Sequence, residues 1–299
     1  MSEKVTETVI EENKKPGNLE AEAEAIVNKI IPFSSVDGPG NRTAIFLQGC
    51  NFDCLYCHNP ETINLCNNCG KCVPGCPTSA LEIVDGRVSW QEDLCVECDQ
   101  CLEICTRDSS PRVKKMTVNV FLEEIAKNQA FISGITVSGG EALLQSDFLI
   151  ELFKEVKRMD LTTFLDTNGS ILLEQKDELL EYLDQVMIDA KSVKRAEHQR
   201  LTGSSNHNVL ENIKFMAEID KLYEVRTVIV PELLDNSYNV TQISSLLGKI
   251  APEVRYKLIK YRSVGVRPDR IETETPNADY VQQLAEIAAA NGCQNVVTV

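Results

Sequence analysis

The cysteines of this 299-residue chain are concentrated in one stretch. Eleven of the twelve lie between positions 50 and 105, and Cys293 stands apart near the end of the chain. They form three groups: Cys50, Cys54 and Cys57; Cys66, Cys69, Cys72 and Cys76; and Cys95, Cys98, Cys101 and Cys105. So sharp a change in composition predicts a cysteine-rich insert, residues 60–115, carried by a longer scaffold.

Composition and charge narrow the possible functions. Hydrophobic residues make up 43% and charged residues 25%, the balance of a globular protein. The net charge of −15 argues against nucleic acid or an anionic membrane as the main partner, because both require basic surfaces. No apolar run reaches the roughly 18–20 residues of a membrane span.

The acidic start, residues 1–24, lacks the apolar core of a secretory signal. We therefore expect a cytoplasmic protein, and in that reducing compartment clustered thiols are more often metal ligands or catalysts than disulfides. We treat residues 1–24 as an acidic N-terminal extension and assign it no function.

The scaffold, residues 25–59 and 116–299, alternates short apolar segments with amphipathic ones. Strands are predicted at 43–48, 135–138, 162–166, 186–189, 224–230, 255–260 and 295–299, and helices at 118–130, 147–159, 174–182, 210–219, 240–250 and 279–290. Short strands without clean alternation, each followed by a helix, are typical of a parallel sheet. Six such units and a closing strand predict an α/β fold, a partial (β/α)6 TIM-like barrel, since a complete barrel has eight units.

The second and third cysteine groups share the spacing C-x2-C-x2-C-x3-C, which resembles that of bacterial ferredoxins. In that run three cysteines bind one [4Fe–4S] cluster and the fourth binds the other. The first insert set would be Cys66, Cys69, Cys72 and Cys105, and the second insert set would be Cys76, Cys95, Cys98 and Cys101. Structural zinc also favours paired C-x2-C units, but it does not explain two overlapping runs. The spacing favours a ferredoxin-like insert with two clusters over zinc, and over a disulfide framework.

The first group, Cys50, Cys54 and Cys57, has the spacing C-x3-C-x2-C and no evident fourth thiolate. Three thiolates on a four-iron cluster leave one iron open, and an open position distinguishes a reacting metal site from a closed structural one. With the aromatic Tyr56 before the last cysteine, this spacing resembles the signature of the radical S-adenosylmethionine (SAM) superfamily. The resemblance implies that SAM chelates the open iron and is cleaved by one electron to a 5′-deoxyadenosyl radical, which makes these three cysteines catalytic.

Three further segments resemble those of glycyl radical enzyme activases: ITVSGGE at 135–141, LDTNG at 165–169 and MIDAK at 187–191. The resemblance implies that they surround SAM and a monovalent cation (Na+ or K+). The residues so assigned, together with Tyr56, are Gly139, Gly140, Glu141, Asp166, Thr167, Asp189 and Lys191. Chemically, the two aspartates suit an ammonium group, ribose hydroxyls or a metal ion, and Lys191 suits a carboxylate. A glycine turn or solvated loop charges would explain each segment alone, but all follow predicted strands at the end where such barrels build active sites.

The segment VDGPGNR at 36–42 precedes the first predicted strand. In the activases it lies toward the glycyl radical partner, which assigns Asp37, Gly38, Gly40 and Arg42 to partner binding. CHNPE at 57–61 also has the activase form. With the insert, the stretches KIIPFSSVDGPGNR and ALEIVDGRVSW are most similar to the YjjW-type activase, whose partner is a YjjI-type glycyl radical enzyme.

One segment departs from the activase pattern. Where better-known activases carry a histidine that contacts SAM, this chain reads KYRS at 260–263. Arg262 could bind the SAM carboxylate bidentately instead, and Arg226, in VRTVIVP, is a second candidate neighbour of SAM.

The resemblance implies a radical SAM oxidoreductase that removes an α-hydrogen from a glycine of a partner enzyme. It further implies three [4Fe–4S] clusters, a low-potential electron donor such as flavodoxin or ferredoxin, and anaerobic use. Two alternatives stay open: a radical SAM enzyme acting on a small molecule, which the DGPG segment disfavours, and a non-enzymatic iron–sulfur electron carrier.

Overall fold

The computed structural model describes residues 22–299, so most of the predicted N-terminal extension lies outside the described residues. The apolar segments form one nine-stranded sheet and a separate two-stranded sheet. The strands are β1 (Glu24–Ser34), β2 (Arg42–Leu47), β3 (Leu81–Val84), β4 (Arg87–Trp90), β5 (Lys114–Thr117), β6 (Gly134–Gly139), β7 (Thr162–Thr167), β8 (Gln185–Asp189), β9 (Leu222–Ile229), β10 (Arg255–Lys260) and β11 (Val296–Thr298). All seven predicted strands are present, as β2 and β6 to β11.

The large sheet has the strand order β11-β10-β9-β8-β7-β6-β2-β1-β5. From β2 to β11 all neighbours are parallel, whereas β1 is antiparallel to both β2 and β5. The sequence pattern did not predict β1 or β5. Because β5 begins at Lys114, the chain rejoins the sheet two residues before the predicted boundary at 116.

The helices are α1 (Gln100–Ile104), α2 (Val118–Asn128), α3 (Ser146–Arg158), α4 (Asp177–Tyr182), α5 (Arg195–Thr202), α6 (His207–Glu218), α7 (Asn236–Ile250) and α8 (Ala278–Ala290). The apolar sides of α2, α3, α6, α7 and α8 form one core with one face of the sheet, in which Phe121 and Ile213 lie with Ile135 and Val225. The predicted order of six strand–helix units and a closing strand is confirmed. None of the helices within residues 22–299 is both long and apolar enough to cross a membrane.

The opposite face of the parallel strands carries polar side chains, and we call it the polar face. Successive side chains of a strand point to opposite faces, so the apolar residues of β6 and β9 that enter the core alternate with polar ones. Ser138 on β6 donates to Asp166 on β7 at 2.9 Å, and Asp166 pairs with Arg226 on β9. A row of hydrogen-bonded polar groups therefore runs across the strands on the side away from the helices.

Between β2 and β5 the chain forms a small unit containing the β3–β4 hairpin and α1. Its own core contains Cys72, Leu81 and Cys101, and Trp90 packs against them. The unit buries few apolar side chains, and its most frequent chemically distinctive residue is cysteine.

Candidate functional site

The carboxyl ends of β2, β6, β7 and β8 bring most of the predicted site residues to one cavity of about 250 Å³. Parallel strands place the segments that follow them at the same edge of a sheet. The predicted residues that line the cavity are Cys50, Cys54, Tyr56, Cys57, Gly139, Gly140, Asp166, Thr167, Asp189 and Lys191. Arg226 lines it as well, whereas Glu141 and Arg262 do not.

The cysteine loop, residues 49–59, is fixed by backbone hydrogen bonds to two other segments. Cys50 N donates to Ile63 O at 2.8 Å, and Leu55 N donates to Leu201 O, at the end of α5, at 3.0 Å. Phe52 packs edge-on against the buried His198 of α5, with 5.4 Å between the ring centroids. The loop is thus held in place before any ligand binds.

The two glycines of the GGE segment are required by close packing on this loop. A Cβ at Gly140 would lie 2.1 Å from Gly49 O, and a Cβ at Gly139 would lie 2.2 Å from Leu47 O. Gly139 also has φ +117°, a conformation that side chains disfavour. Only glycine lets the end of β6 approach the start of the cysteine loop this closely.

Four charged groups form a network on the cavity wall. Arg226 bridges Asp166 and Asp189, with 2.8 Å from its Nε to Asp189 Oδ1, and Lys191 Nζ lies 3.0 Å from Asp189 Oδ2. Burial raises the pKa of Asp189, but Arg226 and Lys191 outweigh it and hold that pKa well below its usual range. The network offers a cavity ligand both anionic and cationic partners while its own charges balance.

Burial raises the pKa of the Cys50 thiol to about 11 and that of the Cys54 thiol to about 12. Metal binding at these cysteines must therefore displace protons. Beside them the hydroxyl of Tyr56 is buried without a hydrogen-bond partner among residues 22–299, and Lys191 lies 5.8 Å from the centre of its ring. A thiol trio with an unsatisfied polar atom nearby fits an iron–sulfur cluster and a polar ligand next to it.

Glu141 has a different position from the one that the motif implied. Its carboxylate accepts from Thr167 Oγ1 at 2.8 Å, from Asn168 N at 2.8 Å and from Leu143 N at 3.0 Å, and its side chain is buried. Burial raises its pKa to about 7. Because both oxygens are occupied by groups of the chain, Glu141 holds the turn after β7 in place and does not face the cavity.

Arg42 is a correction to the predicted partner-binding set. Its side chain is buried against β6, where the guanidinium donates to Ile135 O at 2.6 Å and to Thr136 Oγ1 at 2.9 Å. It also lies 4.0 Å from the centre of the Phe164 ring. With its donors used inside the protein, Arg42 ties β2 to β6 and β7 and has no free face for a partner.

The other residues of this segment lie at the amino-terminal end of β2, with Gly40 exposed and Asp37 and Gly38 half-buried. Asp37 accepts from Ser34, and its carbonyl accepts from Thr136. Since β2 has six residues, this segment and the cysteine loop are about 20 Å apart along the strand.

Arg262 lies next to a residue of the cavity wall. Its side chain is exposed and does not line the cavity, and its carbonyl is bonded to His58 Nε2, which does line it, at 3.0 Å. The contact of Arg262 with SAM therefore stays a prediction. Within residues 22–299, Arg226 on β9 is the arginine that lines the cavity.

Two neighbours of the cysteine loop were not predicted. Asn168 Nδ2 lies 3.8 Å from Cys50 Sγ, and Arg267 donates to Cys54 O at 2.9 Å. Asn168 belongs to the DTNG segment, so the motif itself carried a signal for it. Arg267 is 213 positions from Cys54 and lies in no recognised motif, so only the folded chain reveals it.

Each insert set surrounds its own small cavity. Cys66, Cys69, Cys72 and Cys105 line one, and Cys76, Cys95, Cys98 and Cys101 line the other. Within residues 22–299, no three His, Cys, Asp or Glu side chains meet as the ligands of a single metal ion do. The cysteines group across the two runs, with the last of each run at the other run's cavity.

Residues 36–210 match a protein family described as "4Fe-4S single cluster domain". This region contains the cysteine loop, the insert and the segments that end β6, β7 and β8.

Two relatives cover most of the chain. The isethionate sulfite-lyase activating enzyme of Desulfovibrio desulfuricans is 30% identical over 83% of this chain and 86% of its own length. The pyruvate formate-lyase 1-activating enzyme of Escherichia coli is 29% identical over 81% of this chain and 83% of its own length.

Among solved structures, QueE from Escherichia coli superimposes with a TM-score of 0.53 at 13% identity, over 92% of this chain and 94% of that chain. At this identity the likeness concerns the fold alone.

Proposed function

Because this chain belongs to the family of glycyl radical enzyme activating enzymes, we propose that it cleaves SAM reductively and uses the resulting 5′-deoxyadenosyl radical to remove an α-hydrogen from a glycine of a partner enzyme. The observation that carries the proposal is the single cavity lined by three thiols and by the charged network of Arg226 with Asp166, Asp189 and Lys191. The thiols suit a four-iron cluster with one open iron. The charged network suits the zwitterionic end of SAM.

Cys50, Cys54 and Cys57 would hold the cluster, which supplies one electron to SAM when bound. The protein's own side chains bind and orient SAM. Lys191 and Arg226 are the cations that suit its carboxylate, and Asp166 and Asp189 are the anions that suit its ammonium group and ribose hydroxyls. Thr167 and the aspartates are also the oxygen donors that this chain offers to a monovalent cation. Three of the four aspartate oxygens already pair with Arg226 or Lys191, and the fourth, Asp166 Oδ2, accepts from Ser138.

We also propose that each insert set binds a [4Fe–4S] cluster, which would make three clusters in all and the insert ferredoxin-like. The two cavities support this pairing, since each is lined by the four cysteines that the crossed ferredoxin pattern assigns to one cluster. In such a cluster every thiolate binds its own iron, so the sulfurs surround a volume and do not meet at one point. These clusters suit a role in carrying electrons from a low-potential donor such as flavodoxin or ferredoxin.

The polar face suggests how a partner reaches the site. We propose that the parallel strands β2 and β6 to β10 act as a partial barrel around this face, as in radical SAM enzymes. Asp37, Gly38 and Gly40 lie at its amino-terminal end and the cysteine loop lies at the other. A glycine-bearing loop of the partner, of the YjjI type, would lie along this face. A cytoplasmic location during anaerobic growth is consistent with oxygen-sensitive clusters.

The test of the chemistry is SAM cleavage by the anaerobically reconstituted, reduced protein, measured as 5′-deoxyadenosine formed. Wild type and Cys293→Ala should both form it, because Cys293 is buried in the main core, away from the cysteine loop. Cys54→Ala should form none. As much 5′-deoxyadenosine from Cys54→Ala as from Cys293→Ala would contradict the role of the cysteine loop. No 5′-deoxyadenosine from any of the three proteins, wild type included, would contradict the proposal and leave an electron carrier as the better description.

A further inference from the structure

Arg267 lies in the loop that follows β10 and contacts two parts of the chain that are distant in sequence. Its side chain is 8% exposed. One terminal nitrogen lies 2.7 Å from Asp108 at the end of the insert, and the other donates to Cys54 O at 2.9 Å and pairs with Asp53 at 2.7 Å. A buried guanidinium thus joins the insert to the cysteine loop through charge-assisted hydrogen bonds, the stronger kind.

A second group of contacts joins the two ends of the insert to each other and to the cysteine loop. Asn64 N donates to Asp108 O at 3.0 Å, and Asn64 Nδ2 donates to Arg107 O at 2.8 Å. One residue earlier, Ile63 O accepts from Cys50 N. The segments that lead into Cys66 and out of Cys105 are therefore both tied to the cysteine loop.

These two cysteines belong to the first insert set. Cys66 is three residues after Ile63, and Cys105 is three residues before Asp108. Three residues span at most about 11 Å, so neither cysteine can lie far from the contacts with the cysteine loop. The second insert set is farther along the chain from these contacts, since its cysteines are at least seven residues from both Ile63 and Asp108. Arg112, which lines its cavity, pairs with Asp99 of the same cavity at 2.5 Å, in the segment leading into β5.

We propose that Arg267 is a positioning residue that locks the insert onto the cysteine loop, so that the first insert set is held next to the reacting cysteines and the second lies farther away. The ordering of the sets rests on the proposed function, in which both sets hold clusters. The lock itself is a property of the chain. If electrons pass through the insert, the cluster of the first insert set is the one that transfers them to the cluster on the cysteine loop.

Hydrogen exchange of the full-length, anaerobically reconstituted protein tests the lock. In Arg267→Gln, and separately in Asp108→Asn, amides of residues 50–57 and 104–111 should exchange at least about tenfold faster, because a buried charged bond is lost. Amides of β6 and β7 should be unchanged. Arg270→Gln is the matched control, since Arg270 is in the same loop but lies 3.6 Å from the exposed Asp53.

Unchanged exchange in both segments would overturn the lock, and so would faster exchange in only one of them. If amides of β6 and β7 also exchange faster in Arg267→Gln, the result for Asp108→Asn is the one that tests the lock. This variant removes the same ion pair at its more exposed partner.

Electron paramagnetic resonance (EPR) of the reduced protein tests the order of the sets. Removing the first insert set, with Cys69→Ala and Cys72→Ala together, should abolish the magnetic broadening of the cluster on the cysteine loop. Removing the second, with Cys95→Ala and Cys98→Ala, should leave most of it. The reverse result would overturn the order. An iron content that shows no insert clusters would refute that part of the proposed function and leave the exchange test of Arg267 unaffected.

Discussion

Lys191 shows how one residue connects the charged network to the proposed ligand. Its ammonium group lies 3.0 Å from Asp189 and over the ring of Tyr56, and its side chain is 11% exposed. Because the ammonium group is already held at the cavity wall, it can bind an incoming carboxylate without a change in the conformation of the lysine side chain. Little free energy is therefore spent on ordering this side chain when SAM binds.

Lys191→Met should weaken SAM binding about ten- to a hundredfold, the effect of losing a hydrogen bond to a charged group. Isothermal titration of SAM into the reconstituted protein measures it. Lys194→Met is the matched control, because Lys194 is 40% exposed and pairs with Asp235. Equal SAM affinity in the two variants would show that Lys191 does not bind SAM.

Glu141 shows the opposite case, a motif residue that acts on the chain itself. Its carboxylate receives donors only, so the amide group of a glutamine would face an N–H or a hydroxyl donor. Glu141→Gln should therefore lower the free energy of unfolding by about 1–3 kcal/mol, measured by denaturant unfolding of the metal-free protein.

The pH dependence of this stability should also change. In the unfolded chain the Glu141 carboxyl ionises near its ordinary pKa of 4.5, and in the folded protein burial raises that pKa to about 7. Between these values the folded protein binds more protons, so the contribution of Glu141 to the free energy of unfolding decreases as pH rises. Glu141→Gln should lack this component. The same pH slope in both proteins would contradict the raised pKa.

At the scale of elements, the parallel strands could be predicted because each is a short apolar run buried by helices. β1 could not, since its residues mix apolar with polar side chains, include Pro32 and pair with irregular register. The sequence around α5 is mostly polar. Its buried residues are His198, Leu201 and Thr202, and only one of them is apolar, too few to give a helical pattern. Yet α5 supplies the carbonyls that hold the cysteine loop.

The site was predictable where a motif places a residue at the end of a strand, as for Asp166 and Lys191. The inward direction of the Arg42 side chain was not predictable, because a motif carries the position of a residue and not the direction of its side chain. Arg42 enters the interior through bonds to β6 and β7, which no local pattern encodes.

The contact between β6 and the cysteine loop gives a prediction for the elements. Gly140→Ala would place a Cβ 2.1 Å from Gly49 O, so the backbone must shift and the cysteine loop with it. The reconstituted variant should lose the cluster on that loop, about 4 iron atoms per chain. Gly86→Asn, in the open β3–β4 turn at φ +74°, is the control and should keep full iron. Full iron in Gly140→Ala would show that this contact is dispensable.

At the scale of the whole molecule, the structure separates four regions of different chemistry. The cysteine loop and the DGPG segment lie at opposite ends of β2, the polar face runs between them, and the insert is joined to the cysteine-loop end. The net charge of −15 fits protein partners better than nucleic acid.

Iron content tests this division and the crossed pairing of the insert. Wild type should bind about 12 iron atoms per chain, and about 4 would contradict the insert clusters. Cys72→Ala with Cys105→Ala removes two ligands of the first insert set and should lose about 4 iron atoms. Cys101→Ala with Cys105→Ala removes one ligand from each set and should impair both clusters, losing up to about 8. The reverse ranking would show that each run binds its own cluster.

The central claim, transfer of radical chemistry to a glycine of a partner, is tested most directly by anaerobic EPR. The reduced protein is mixed with SAM and a YjjI-type candidate partner, with Cys54→Ala in parallel. The account predicts a glycyl radical doublet on the partner with wild type and none with Cys54→Ala. SAM cleavage by wild type without any doublet would contradict activation of this partner, and a doublet with both proteins would contradict the role of the cysteine loop.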